Sequence, residues 1–273
     1  MDRALSSWLQ LVGNTQPFML VFFRVLGLFL AAPLVSSVLV PQRYKALLAL
    51  MLSAAIYPML RVRAPAFFDA GGEVNLFQLA GLVAVEMLIG LAIGLLASTP
   101  LAALEMSGVI MGHQMGLGLA KVYNPEADYD MDVLGQLLFY VATGVFFAMG
   151  GLDLLVRGLL RTFEVTPLGG LHASDAPLDM LLGVLKASFE LAMRVSTPVA
   201  GIILLLIIVF AAVGKTMPQI NIMSVGFAIK IVCGMLILSA AVYAIQGAAA
   251  ETITRTIHQV LDWAGRAQPA GGR

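Results

Sequence analysis

Residues 76–98 form an apolar run long enough to cross a bilayer, and it contains one charge, Glu86. A stretch of about 20 apolar residues satisfies its backbone only as a helix when water is absent. Six further apolar segments accompany it, at 17–33, 44–60, 101–116, 133–151, 180–214 and 223–250. The chain is 60% hydrophobic and 12% charged, against roughly 25% charged in soluble domains. Mean hydropathy is +0.93. This pattern predicts an all-α, polytopic integral membrane protein of long paired helices and excludes a globular enzyme with one core.

Formal net charge is zero, so no global field draws the chain to nucleic acid. The single Cys233 cannot form an intrachain disulfide. The amino end is polar and lacks a cleavage pattern, so the first apolar segment is expected to stay in the mature chain. Prolines 33, 41, 100, 198 and 218 are read as boundaries or bends, with Pro100 ending the third segment before the fourth begins. The sixth segment exceeds a simple span, so part of it is expected to project or bend at Pro198. Basic residues flank both ends of the second segment, which fits poorly with every helix crossing independently.

Signatures of catalysis are missing: the sequence has no HExxH, CxxC or GxSxG. VGKT at Val213–Thr216 has Val209 where a phosphate loop needs its first glycine. His113, His172 and His258 are scattered, so no metal or cofactor site is expected, and no enzyme activity. Charges in apolar segments carry more information. Arg24, Glu86, Glu105, Lys215 and Lys230 are costly in hydrocarbon and must face protein, water or one another. Arg24 with Glu86 is the pair expected to touch. Gly90 and Gly94 form a GxxxG packing contact on the third segment. Pro218, Gln219 and Asn221 mark a fixed turn between the last two segments.

Residues 108–132, GVIMGHQMGLGLAKVYNPEADYDMD, pass from apolar helix to acidic loop. Gly108, Gly112 and Gly116 fall at i, i+4 and i+8, which places them on one helix face, with Met111 and Met115 on a neighbouring stripe. Gly118 loosens the helix, and Asn124-Pro125 stops it. Such a soft segment is either a tight helix contact before a solvated loop or a seal lining a path.

Four pieces in order carry a resemblance that covers nearly the whole chain. They are RVLGLFLAAP from Arg24, EMLIGLAIG from Glu86, GHQMGLGLA from Gly112 and PQINIMSVGFAIKIVCG from Pro218. The chain resembles the FliR family of flagellar export-gate proteins, related to the SctT proteins of injectisomes. Two places depart from the family pattern: Leu152 and Asp153 stand where a Gly-His pair is expected, and Lys215 stands where arginine is expected. The resemblance implies a FliP-like helical half over 1–175 with a plug loop at about 108–132. It implies a FliQ-like helical hairpin over 176–263 and a flexible tail over 264–273. It further implies a subunit of the flagellar type III export gate, multi-pass in the bacterial inner membrane at the flagellar basal body. The implied partners are FliP-like and FliQ-like subunits, FlhB-like and FlhA-like components, unfolded flagellar substrates and membrane lipid. The plug residues it implies are Gly112, Met115, Gly116, Leu117, Gly118 and Leu119. A small-solute secondary transporter and an injectisome gate subunit are the alternatives.

Overall fold

The computed structural model describes residues 2–33, 41–63, 76–117, 133–165, 168, 178–217 and 222–266. Among them every regular element is an α-helix: α1 (Asp2–Ala31), α2 (Gln42–Arg63), α3 (Leu76–Met115), α4 (Val133–Ala148), α5 (Gly151–Val165), α6 (Leu178–Thr216) and α7 (Ile222–Arg266). Three contain stretches long and apolar enough to cross a membrane, Phe77–Met115, Leu181–Thr216 and Val225–Thr256. The fold class expected from hydropathy is the one observed.

Pro100 does not end a helix. It lies inside the 40-residue α3, and Pro17, Pro58 and Pro198 likewise lie inside α1, α2 and α6. In water an internal proline costs about 3 kcal/mol and favours a break. In an apolar helix the break is worse, since it frees carbonyls and N–H groups with no water to take them. Hydroxyls close to these prolines bond back into the helix. Ser98 Oγ donates to the Leu95 carbonyl at 2.8 Å, and Thr197 Oγ1 donates to that of Met193 at 2.5 Å. The apparent third and fourth segments are therefore one element, and α6 runs unbroken through Pro198.

Glycine makes the real break. α4 and α5 meet at a bend of 65°, and Gly150 at the corner has φ +70°. Its carbonyl accepts from Leu154 N–H at 3.1 Å, so Gly150 also begins α5. No atom lies within 4 Å of where a Cβ would sit, so a substitution there meets strain alone. Gly150→Ala is expected to cost about 1–2 kcal/mol, the left-handed penalty for an L-residue. Thermal unfolding of the purified chain should show it, with Gly144→Ala, an open mid-helix site, as the unstrained comparison.

The chain divides into two compact units. Unit 1 comprises Met1–Ser98, Gly150–Leu182 and Arg255–Arg273. In it α1 packs against α2, with Phe18 and Tyr57 edge to face at 5.4 Å. Val21, Val25 and Leu28 of α1, Ile89, Ile93 and Leu96 of α3, and Leu155, Leu159 and Phe163 of α5 are buried. The α5 trio falls at i, i+4 and i+8, one face of a helix. The opposite face carries Asp153 and Arg157, whose exposed ion pair at 2.8 Å adds little stability. Unit 2 comprises Thr99–Met149 and Gly183–Thr254. Its buried side chains include Leu101, Leu104, Met111, Leu138, Phe146, Val195 and Ile203.

Candidate functional site

Two arrangements stand out, one in each unit. In unit 1, glycines bring the backbones of α1 and α3 into contact. A Cβ built on Gly90 would lie 1.9 Å from the Arg24 carbonyl oxygen. One on Gly27 would lie 2.2 Å from the Met87 oxygen, and one on Gly94 2.6 Å from the Leu28 oxygen. The close approach needs small residues on both helices, as in intramembrane contacts generally. Gly90 and Gly94 thus pack, and Gly27 of α1 is the answering position.

The same approach sets the charges. Arg24 lies three residues before Gly27 and Glu86 four before Gly90, so both project from the turn beside the contact. Arg24 Nε donates to Glu86 Oε2, and both side chains are fully buried. Arg24 Nη1 lies 3.4 Å from Thr162 Oγ1 of α5, and its Cζ lies 4.3 Å from the centre of the Phe163 ring. Thr162 Oγ1 in turn donates to the Leu159 carbonyl at 2.6 Å. Three helices thus converge on one guanidinium. Against a well-packed apolar replacement a buried pair gains little, but one member without the other is strongly unfavourable. The arrangement therefore works as a registry key: sliding α1 against α3 would strand both charges.

In unit 2, the end of α3 is seated and capped. A Cβ on Gly108 would lie 2.4 Å from the Leu134 oxygen and 2.6 Å from Gly135 Cα of α4, another glycine-mediated contact. Met111 and Met115 are fully buried. The Met115 methyl occupies the space beside Gly234 of α7, where a Cβ would come within 2.4 Å of it. Gly116 has φ +87°. Its N–H donates to the His113 carbonyl at 3.0 Å, and Leu117 N–H donates to that of Gly112 at 3.0 Å. These paired bonds are the Schellman stop, which wants glycine at the left-handed position. Gly116 is therefore a helix cap and not the third member of a packing stripe, which corrects the equal spacing read from the sequence.

His113 is exposed, with Nδ1 2.9 Å from the Val109 carbonyl oxygen, a bond for the tautomer that carries the proton there. Lys215 is exposed in the last turn of α6, where a cation suits the helix dipole. Lys230 is half-buried on α7, and neither lysine makes an ion pair among the described residues. Gly118, Leu119, Pro218, Gln219 and Asn221 lie outside the described residues. No group of three or more His, Cys, Asp or Glu among the described residues could hold a metal ion. Thr162 and Phe163 escaped the sequence reading, although the i, i+4, i+8 face of α5 pointed at that helix side.

An apolar, multi-helix chain with glycine-tight contacts and a buried charge key is a membrane-embedded packing unit. Comparison with known proteins narrows this. The model of the bacterial export proteins, family 1, matches residues 15–256, and the chain belongs to that family. It is 28% identical over 234 residues to the flagellar biosynthetic protein FliR of Escherichia coli (strain K12), covering 86% of this chain and 85% of the relative. It is 27% identical over 230 residues to FliR of Buchnera aphidicola subsp. Acyrthosiphon pisum (strain APS), covering 84% and 86%. It is also 26% identical over 168 residues to the Yop proteins translocation protein T of Yersinia pestis, covering 61% and 64%. The chain is a membrane protein of the FliR/SctT type, from the export apparatus that flagella and injectisomes share.

Proposed function

We propose that this chain is a non-enzymatic subunit of the flagellar type III protein export gate, resident in the bacterial inner membrane. It would help form the channel through which unfolded flagellar subunits leave the cell. The observation that carries the reading is the family match over residues 15–256. The flagellar assignment is favoured over the injectisome because FliR relatives align over about 85% of their length and the Yersinia protein over 64%. FliP-like and FliQ-like subunits are the partners this reading requires, with residues 1–175 in the FliP-like role and 176–263 as the FliQ-like hairpin. FlhB-like and FlhA-like components would complete the apparatus.

Within this reading, Gly112, Met115, Gly116 and Leu117, with Gly118 and Leu119 beyond them, are the seal. A seal must hold against ions and yield to a passing chain, so it belongs to a part of the molecule that opens cheaply. Met115 suits such a seat, since a flexible thioether repacks readily around changed neighbours. The test uses Gly234→Ala, whose Cβ would displace the Met115 side chain without altering any seal residue. In cells lacking the native copy, this variant is expected to assemble and to export flagellar subunits, but with membrane conductance to small ions several-fold above the parent. Unchanged conductance in an assembled variant would return the Met115 seat to plain helix packing. Normal export of flagellar subunits without the chain would remove the gate reading itself.

A further inference from the structure

α3 is clamped twice along its length. Its first half meets α1 through Gly27, Gly90 and Gly94 and carries the Arg24–Glu86 pair, which also engages Thr162 and Phe163 of α5. Its second half meets α4, where a Cβ on Gly108 would lie 2.4 Å from the Leu134 oxygen and one on Gly135 would lie 3.2 Å from the Glu105 oxygen. The first clamp belongs to unit 1 and the second to unit 2. Two connections join these clamps, α3 itself and the α4–α5 pair, and each softens midway. On α3 the soft point is Pro100, beside the unit boundary after Ser98; it has no N–H to give to the Leu96 carbonyl. On the other connection it is Gly150, where unit 1 resumes, with φ +70° at the 65° corner. α6 and α7 cross between the units only within a few turns of an end, at Gly183 and Thr254. One α4 hydroxyl is also out of pattern. The buried hydroxyls of Ser53, Ser107 and Thr162 bond back to a carbonyl three or four residues earlier. Thr143, two turns before Gly150, does not. Its Oγ1 is buried without a partner among the described residues, as is Ser188 Oγ of α6.

We propose that Pro100 and Gly150 are paired pivots of a two-state motion in which each unit stays intact about its clamp, and that Thr143 sets the balance, its hydroxyl unpaired in the described state and paired in the other. Two parallel connections hinge only if both soften, since one stiff helix would hold the clamps apart by itself. Here both soften at the same unit boundary. Gly150 is not there for packing, because no atom lies within 4 Å of where its Cβ would sit. What calls for glycine is its positive φ, and glycine also passes readily to the ordinary region. The Thr143 orphan points the same way. An unmade buried hydrogen bond raises the free energy of the state that contains it. Threonine has a helix rotamer that bonds its own backbone, so the orphan is not forced by the helix. A state that pairs this hydroxyl is therefore brought closer in free energy to the one described. The motion is argued from this chain's own connections and does not rest on the export reading.

The experiment places spin labels at Leu137→Cys of α4 and Arg157→Cys of α5, both exposed, in a Cys233→Ser background of the full chain held in native-membrane nanodiscs. Pulsed dipolar distances across the corner should fall into two populations, whereas Met59→Cys with Arg157→Cys, both in unit 1, should give one. Thr143→Val keeps the shape and removes the hydroxyl, so it should shift the balance toward the described bend by roughly fivefold, and Thr143→Ser should keep the parent ratio. Gly150→Ala, strained at φ +70°, should shift it roughly tenfold the other way. Pro100→Ala restores the missing ladder bond and should merge the two populations into one. A single population across the corner in the parent would overturn the proposal, as would two persisting in Pro100→Ala or both other variants shifting the balance the same way. The melting temperature of Thr143→Val should equal or exceed that of the parent. A lower one with an unmoved ratio would make Thr143 a plain structural contact and sink its role. Distances are read apart from export. Two populations obeying these shifts in a cell that exports without the chain would leave this inference standing and remove the gate reading.

Discussion

Glu86→Ala is expected to remove about 3–5 kcal/mol of stability, the usual cost of leaving one buried charge without its partner. Beyond Glu86, the neighbours of the fully buried Arg24 guanidinium include Thr162 Oγ1 at 3.4 Å and the Phe163 ring at 4.3 Å from Cζ. A neutral hydroxyl at that distance is a weak partner, and a cation–π contact supplies on the order of 2 kcal/mol when desolvated. Neither replaces a carboxylate. Arg24→Ala is expected to cost a comparable amount, since it likewise removes one member of the buried pair. Arg24→Met combined with Glu86→Leu removes both charges at nearly constant volume and should recover most of the loss. Thermal unfolding of the four purified proteins in one detergent gives the ranking. If Glu86→Ala unfolds with the parent, the pair is not buried as described and the registry argument fails.

That pair is legible in the sequence for a simple reason. Arg24 and Glu86 are isolated charges inside apolar runs, and such charges must find something. The helices are legible as well, since apolar length is the strongest signal a membrane chain carries. The differences lie at prolines. Rules learned in water, where a freed carbonyl finds a solvent partner, place a break at Pro100; inside α3 the helix keeps going. The glycines mislead differently, because equal spacing hides unequal jobs. Gly108 admits α4, Gly116 caps α3 at φ +87°, and Gly150 turns the chain by itself. Only the backbone angle or the neighbouring atom separates these roles. Gly234, seat of Met115, could be suspected only as a glycine inside an apolar helix.

Gly90→Ala is expected to cost about 3 kcal/mol or more, in the range of the changes at the ion pair. Its Cβ would fall 1.9 Å from the Arg24 carbonyl oxygen and 2.8 Å from Leu28 N. Overpacking is mild when the neighbour is the tip of a flexible side chain. Here the neighbour is the backbone of α1, so the whole helix must move away, by roughly 1.5 Å to reach ordinary contact. That shift acts on the residue whose side chain holds Glu86, so the packing loss and the electrostatic loss arrive together and should not add as independent terms. The overlaps set an order: Gly90 is worst, Gly27 at 2.2 Å is next, and Gly94 at 2.6 Å is mildest of the three. Gly81 and Gly144, where an added methyl would meet no atom within 4 Å, should tolerate alanine or gain slightly from its helix preference. Five alanine variants, scored by melting temperature and by the fraction recovered as folded chain, test the series. A flat response, or one ordered by sequence position, would mean that α1 and α3 do not meet through these glycines. The ordered response would mean that the glycine contact fixes the spacing at which Arg24 and Glu86 meet. In that case Gly90→Ala combined with Glu86→Ala should cost clearly less than the sum of the two single changes.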